Sequence, residues 1–280
     1  TKFCREVSFN NTFWWFNLIF FWWRLNKIEL ERYTRHILLK EIGGSGQKLL
    51  KNSCVTMVGA GGLGSIILYY LAAAGIGNIT IIDNDIVSLS NLQRQILFKN
   101  VDIGKKKVIA AKKNLLSLNS QVNIETFDEQ FSEKSSRKLI KNCDILIDGT
   151  DNFKSKSSIC KIAFKKTIPL VYGGLSQWEG QVCVFDPKSA SICFGCIFPN
   201  DPGQEFEDSC LNFGIIGPTV GVIGSLMAAE VIKFLTSCGK PITNKIVTYD
   251  CLQGEFQEFV VEKINTCDIC SNLNNVNYLK

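Results

Sequence analysis

The sequence predicts an α/β fold: a doubly wound, mostly parallel Rossmann-like sheet extended by C-terminal antiparallel strands, with a four-cysteine zinc site. Three observations predict it. Short apolar runs, several ending in glycine, alternate with helical segments from residue 28 to about residue 176. Beyond Ser176 the pattern changes to the two-residue alternation of antiparallel strands. Two C-x-x-C pairs, Cys193/Cys196 and Cys267/Cys270, have the spacing of a structural zinc site that pins the C-terminal tail to the sheet.

The elements follow in order. Residues 28–41 have helical periodicity and are expected to stop at Gly43-Gly44. CVTMVG at 54–59 reads as a buried parallel strand, followed by a helix over 63–74 and a second strand, NITIID, at 78–83. A basic helix spans 104–118, and strands follow at 122–127 and 143–149. A helix at 152–165 leads to IPLVYGG at 168–174, which continues the sheet. WEGQVCVFD at 178–186 alternates, and 246–262 alternates again. Between them, 214–235 is almost long and apolar enough to span a membrane, but Gly217-Pro218, Glu230 and Lys233 argue for a buried core helix.

Residues 1–24 stand apart. Phe13 to Trp23 reads FWWFNLIFFWW, too short to cross a bilayer and followed by no signal-peptide cleavage site. An interfacial anchor is one reading. The preferred one is upstream sequence outside the fold, so that residues 25–280 form the folded unit, with a zinc-stapled part from about 177. The chain of 280 residues has a net charge of +5, of which Lys2, Arg5 and Arg24 against Glu6 place +2 in this segment. The remaining charge is too small and dispersed to argue for nucleic acid or an anionic membrane. Twelve cysteines in 280 residues are too sparse for a disulfide scaffold and suit a reducing compartment, so the cytoplasm is expected. The single histidine, His36, excludes a histidine-centred triad unless it is the base; a structural role is expected for it.

Gly59-Ala60-Gly61-Gly62-Leu63-Gly64 falls between a strand and a helix, where glycines let the backbone approach phosphate and a helix N-terminus supplies N–H groups. Asp83 closes the next strand, placed to accept ribose hydroxyls. These two features alone also match an NAD-dependent oxidoreductase on a Rossmann fold. Arg94, in Ser88–Gln95, and Lys107 suit a triphosphate whose charge must be neutralised, although Lys107 could equally lie on a solvated helix face. In Asp148-Gly149-Thr150-Asp151-Asn152, Asp151 either holds Mg²⁺ on phosphates or caps the next helix.

R-Y-T-R-H at 32–36, G-A-G-G-L-G, D-N-D-I-V-S-L-S-N-L-Q-R-Q, G-K-K-K, D-G-T-D-N and the paired C-x-x-C motifs occur in this order. Together they resemble the ThiF/MoeB/HesA family of E1-like (ubiquitin-activating-type) adenylyltransferases, over about residues 28–271. The resemblance implies ATP-dependent adenylation of the C-terminal glycine of a ubiquitin-like sulfur-carrier protein of ThiS or MoaD type. Pyrophosphate is released, and the step activates the carrier for sulfur transfer in thiamin or molybdopterin biosynthesis. It implies nucleotide contacts at Gly59, Gly61, Gly62, Gly64, Asp83, Ser90, Asn91, Leu92, Gln93, Arg94, Lys107, Asp151 and Asn152, with Mg²⁺ at Asp151. It further implies a homodimer in which Arg35 reaches the partner's ATP site, and a separate sulfurtransferase as sulfur donor. Cys210 resembles the cysteine that forms a covalent intermediate with the carrier in some members; an incidental thiol is the other reading. Neither nucleic acid nor a membrane is expected as a partner.

Overall fold

In the computed structural model, residues 25–271 are described, apart from 141, 190 and 200–213. The aromatic stretch before Leu25 and Cys210 therefore lie outside the described residues.

Eight strands form one sheet: β1 (Cys54–Val58), β2 (Asn78–Ile82), β3 (Asn123–Phe127), β4 (Ile145–Asp148), β5 (Leu170–Ser176), β6 (Glu179–Phe185), β7 (Lys245–Asp250) and β8 (Glu255–Val260). Their order is β3-β2-β1-β4-β5-β6-β7-β8. The first five pair in parallel and the last four antiparallel, with β5 shared between the two halves. The predicted fold class is therefore found. The helices are α1 (Lys27–Arg32), α2 (Thr34–Ile37), α3 (Gly43–Asn52), α4 (Gly62–Ala74), α5 (Lys107–Leu118), α6 (Glu133–Leu139), α7 (Phe153–Lys166), α8 (Phe194–Ile197) and α9 (Gly217–Thr236).

Alternate residues of each parallel strand feed two cores, because successive side chains point to opposite faces. Val55, Met57, Ile79, Ile81, Ile145 and Ile147 pack with residues of α4, α5 and α9 on one face. Val58, Ile82 and Leu146 join Ile159, Phe164, Tyr172 and Phe194 on the other. Both faces are covered, which is why these strands read as continuous apolar runs rather than alternating ones.

Helix α9 is long and apolar enough to cross a membrane by composition, but it packs against α4, β5 and β6 inside the fold. Its charges are satisfied there: Glu230 is buried, pairs with Lys233 and accepts the Ile242 N–H at 2.8 Å.

Two expectations fail locally. The predicted helix over 28–41 breaks at Tyr33, whose buried side chain lies under Gly75, where a Cβ would come within 2.4 Å of the ring. Leu38 and Leu39 are exposed, so the apparent apolar stripe does not face a core. Gly43 does not end a helical region; it opens α3, whose Gln47 and Leu50 are buried. Helix α6, capped by Ser132, is an element that the sequence pattern does not predict.

Candidate active site

The strand order reverses direction between β1 and β4, and open α/β sheets bind ligands in the crevice beyond the strand ends at such a point. A cavity of about 550 Å³ lies there. Its lining comes from the β1–α4 loop, the segment after β2, the start of α5, residues 129–131 after β3, the β4–α7 loop and first turns of α7, Leu175 of β5 and the entry to α9.

The glycine loop forms one wall. Gly59 has φ +90°, which a side chain would strain, and a Cβ there would lie 2.9 Å from the Gly149 backbone. The two loops thus pack backbone to backbone. Gly59, Gly61 and Gly62 line the cavity, and Gly61 is the N-cap of α4, so the positive end of that helix faces the space. Gly64 does not line it; its lack of a Cβ allows contact with the Gly59 carbonyl, 2.2 Å from where the Cβ would stand.

Asp83 follows β2 and is held by the backbone: Oδ2 accepts from Ala60 N at 2.7 Å and Oδ1 from Asp85 N at 2.8 Å. Burial pushes its carboxyl above the usual carboxylate range, while these two N–H donors and the Lys107 charge pull it back. Lys107 opens α5 and is 5% exposed, with Nζ 2.7 Å from Asp85 Oδ2. It therefore points into the cavity rather than lying on a solvated face. Its neighbours differ: Lys105 and Lys106 pair with Asp102 and Asp128, each at 3.2 Å.

Ser90, Gln93 and Arg94 line the cavity, with Arg94 Nη1 donating to the Ser90 carbonyl at 3.3 Å. Asn91 and Leu92 do not. The Asn91 side-chain oxygen accepts the Ser88 N–H at 3.1 Å and shapes the turn, while Leu92 packs on the core. On the opposite side, Asn152 rather than Asp151 caps α7, accepting Ser155 N at 2.8 Å. Asp151 is left exposed at the cavity, its one hydrogen-bond contact among the described residues being the 3.4 Å one from Asn152 Nδ2.

Several lining or underlying groups are not among the predicted site residues, and four of them bear on the chemistry. Asp85 is the partner of Lys107, and the D-N-D string offered a signal. Gln95 is buried against the cavity, and its Oε1 has no hydrogen-bond partner among the described residues. Lys156 lines the cavity from α7, and the fully buried Asp148 lies behind it. Arg35 is exposed on α2 and does not line its own chain's cavity. His36 Nδ1 lies 3.1 Å from Gln47 Oε1, and Gln47 donates to the Ala74 carbonyl, which places the histidine in a structural network.

The four cysteines of the paired motifs are buried, with all Sγ atoms within 4.8 Å of one another. Separations of 3.8, 3.4 and 3.5 Å link Cys193 to Cys196, Cys193 to Cys267 and Cys196 to Cys270. A tetrahedral zinc with bonds of about 2.3 Å needs sulfur–sulfur edges of about 3.8 Å, so the cluster fits a closed four-thiolate metal centre. The Ile264 N–H donates to Cys196 Sγ, a contact that favours thiolate. Of the six other described cysteines, Cys160 and Cys183 are buried, and Cys54, Cys143, Cys238 and Cys251 are partly so.

The profile of the ThiF family matches residues 33–270. A sulfur carrier protein adenylyltransferase from Thermus thermophilus is 36% identical over 253 residues, covering 89% of this chain and 93% of the relative. A molybdopterin-synthase adenylyltransferase from Escherichia coli is 37% identical over 246 residues, covering 88% and 98%. Longer relatives named adenylyltransferase and sulfurtransferase match over only 56–58% of their own length. Among solved structures, Escherichia coli MccB with ATP superposes with a TM-score of 0.76 at 25% identity, over 97% of this chain and 83% of that one.

Proposed function

The chain belongs to the ThiF family, and from that premise we propose that it is an adenylyltransferase that activates the C-terminal glycine of a ubiquitin-like sulfur-carrier protein. The carrier would be of ThiS or MoaD type, ending in Gly-Gly, with ATP as co-substrate and pyrophosphate as product. One observation carries the reading: a single cavity gathers the glycine loop, Asp83, Arg94, Lys107 and a carboxylate, Asp151, that no helix cap occupies.

The chemistry asks little of proton transfer. The nucleophile is a C-terminal carboxylate with a reference pKa of about 3.3–3.7, already ionised near neutrality, so no general base is needed. The chain must instead place that carboxylate in line with the α-phosphorus and stabilise charge on the departing pyrophosphate. Asp83 accepts from the ribose hydroxyls. The backbone N–H groups at the start of α4 hold phosphate oxygens, and Arg94 and Lys107 neutralise them. Mg²⁺, when bound at Asp151, supplies further neutralisation across the phosphates. Zn²⁺ would be held by Cys193, Cys196, Cys267 and Cys270; four thiolates leave no open position, so its role is structural. Sulfur would come from a sulfurtransferase activity. Cys210 in a covalent step stays a proposal; Cys210→Ala would keep adenylation and lose sulfur loading of the carrier.

Incubation with ATP and a Gly-Gly carrier should yield a carrier whose C-terminus bears AMP by mass spectrometry. A carrier lacking its last glycine should remain unmodified. Thermal stabilisation by NAD(H) and none by ATP with Mg²⁺ would favour the oxidoreductase reading instead.

The exposed Arg35 fits a homodimer in which each chain completes the other's cavity, as an arginine finger does. Arg35→Ala and Asp151→Ala chains should each be inactive. Mixed and re-equilibrated one to one, they should recover about a quarter of wild-type activity, because about half the dimers are mixed and each has one complete site. A mixture that stays inactive with subunit exchange confirmed would place Arg35 outside the partner's site.

A further inference from the structure

Asp148 ends β4 directly behind the cavity and is fully buried. Its two oxygens have different surroundings. Oδ1 accepts from Thr150 N at 2.9 Å and from Thr150 Oγ1 at 2.6 Å, which folds the Gly149–Asp151 loop back on the end of the strand. Oδ2 accepts no hydrogen bond among the described residues. The charge facing it is Lys156, whose Nζ stands 3.7 Å away.

Lys156 is itself only 8% exposed, one helical turn beyond the Asn152 cap, and it lines the cavity. Its ammonium donates to the Gly173 carbonyl of β5 at 2.6 Å and lies 5.1 Å from the centre of the Tyr172 ring. Gln181 of β6 donates to the Tyr172 hydroxyl at 2.7 Å and extends the network to the antiparallel strands. One ammonium therefore ties three pieces together: the end of β4, the first turn of α7, and β5. The mechanism proposed above uses neither residue.

We propose that Asp148 and Lys156 form a positioning pair, which locks the Gly149–Asp151 loop against β5 and so sets where Asp151 meets the Mg²⁺–triphosphate group. The inference rests on the adenylation reading and deepens it. A buried carboxylate facing a buried ammonium keeps its place only while both are present; removing one leaves an uncompensated charge. Without Lys156, Asp148 turns toward the water of the cavity and releases Thr150. Asp151, one residue further along, then loses its place. Gly149 keeps its own anchor, its N–H donating to the Val58 carbonyl at 2.8 Å, so the glycine loop packed on it and Asp83 stay in place and nucleotide binding without metal persists.

The test uses the full chain as wild type, Lys156→Met, Lys156→Arg, Asp148→Asn and the Asp148→Asn/Lys156→Met double variant. ATP affinity is measured by titration calorimetry with and without Mg²⁺, together with melting temperature and carrier-dependent pyrophosphate exchange. For Lys156→Met, metal-free ATP affinity should stay within about threefold of wild type while the gain from Mg²⁺ is lost and exchange falls about a hundredfold, the scale of a misplacement near 1 Å. Lys156→Arg, which keeps charge and donor, should restore the Mg²⁺ gain. The double variant should be no worse than the poorer single one, as expected for residues acting as a unit. Full retention of the Mg²⁺ gain by Lys156→Met would overturn the proposal. So would a parallel fall in melting temperature and metal-free ATP affinity in both Lys156→Met and the double variant, since that marks a purely structural role. A wild-type chain that exchanges no pyrophosphate with any Gly-Gly carrier would fail the adenylation reading, whereas the calorimetry reads the pair independently of it.

Discussion

The two halves of the sheet are built on different principles. In the parallel half, β4 is buried along its whole length and β1 along all but its first residue, with apolar cores on both faces. In the antiparallel half, every residue of the edge strand β8 is exposed. The parallel half is held by buried area, at about 25 cal/mol per Å² of apolar surface. The C-terminal region instead gathers on the cysteine cluster, where Cys267 and Cys270 reach back to α8. The halves are not independent. Phe194, between Cys193 and Cys196, packs 4.8 Å from Phe153 at the start of α7 and 5.5 Å from Tyr172 of β5. The helix that carries Lys156 therefore rests on the region of the cysteine cluster. On the proposed function the contrast separates a crevice that would perform chemistry from a cluster that would support it, and substitutions in the two regions should fail differently.

The largest effect is expected in the crevice. Asp151→Ala should lower carrier-dependent pyrophosphate exchange by about a thousandfold, the scale of losing a principal charge-stabilising group. The fold should survive, because Asn152 makes the cap. Asn152→Ala gives the contrast: loss of a cap costs about 1 kcal/mol, so its melting temperature should fall by a few degrees, about 2–4 °C. Rates measured beside melting curves distinguish the two. A comparable loss of stability in Asp151→Ala would erase the proposed division of labour.

In the supporting region the order of effects reverses. Cys196→Ser, or removal of metal by a chelator, should lower the melting temperature by about 10 °C, equivalent to about 3 kcal/mol in a chain of this size. Activity per folded molecule should change far less. Metal analysis of fresh, reduced protein should find one zinc per chain. A chain without zinc, or a Cys196→Ser variant as stable as wild type, would leave the cluster without a supporting role.

A smaller effect concerns Asp83. Its carboxyl pKa is raised in the fold, chiefly by burial. The sign follows: the group favours the native state below its unfolded pKa, and that contribution is lost as pH rises through the raised folded value. On the proposed reading ribose hydroxyls donate to the ionised form, so nucleotide binding should release a proton in this acidic window. ATP affinity should rise with pH across the window and level off above it, as measured by calorimetry in buffers of different ionisation enthalpy. Asp83→Asn should flatten the dependence and bind ATP more weakly.

The same contrast governs what the sequence discloses. The buried parallel strands are legible because apolar runs between glycines admit few other readings, and β1, β2 and β4 lie within two residues of their expected bounds. The edge is less so. The alternation over 246–262 predicts strands, and they form, but β8 buries neither face, since Phe256 and Phe259 fall out of step with a two-residue period. Tyr33 breaks a regular helical pattern through a contact with Gly75, far along the chain. In the site, Gly59–Gly62, Asp83, Arg94, Lys107 and Asp151 carry local signatures, and the cavity brings them together. Lys156 and Asp85 carry none of comparable strength. The carbonyl of Gly173 lies 17 residues from Lys156, and Asp85 lies 22 from Lys107, so only the fold supplies their partners. Asn91 shows the converse: in the middle of a motif, its side chain accepts the Ser88 N–H of the turn and does not line the cavity.

The central claim is attack of a carrier carboxylate on the α-phosphate of ATP, and exchange of labelled pyrophosphate into ATP tests it most directly. Exchange should require the chain, Mg²⁺ and a carrier ending in Gly-Gly, and should vanish when any one is omitted or when the last glycine is removed. Steady release of ADP and phosphate, with no AMP formed and no label entering ATP, would contradict the account.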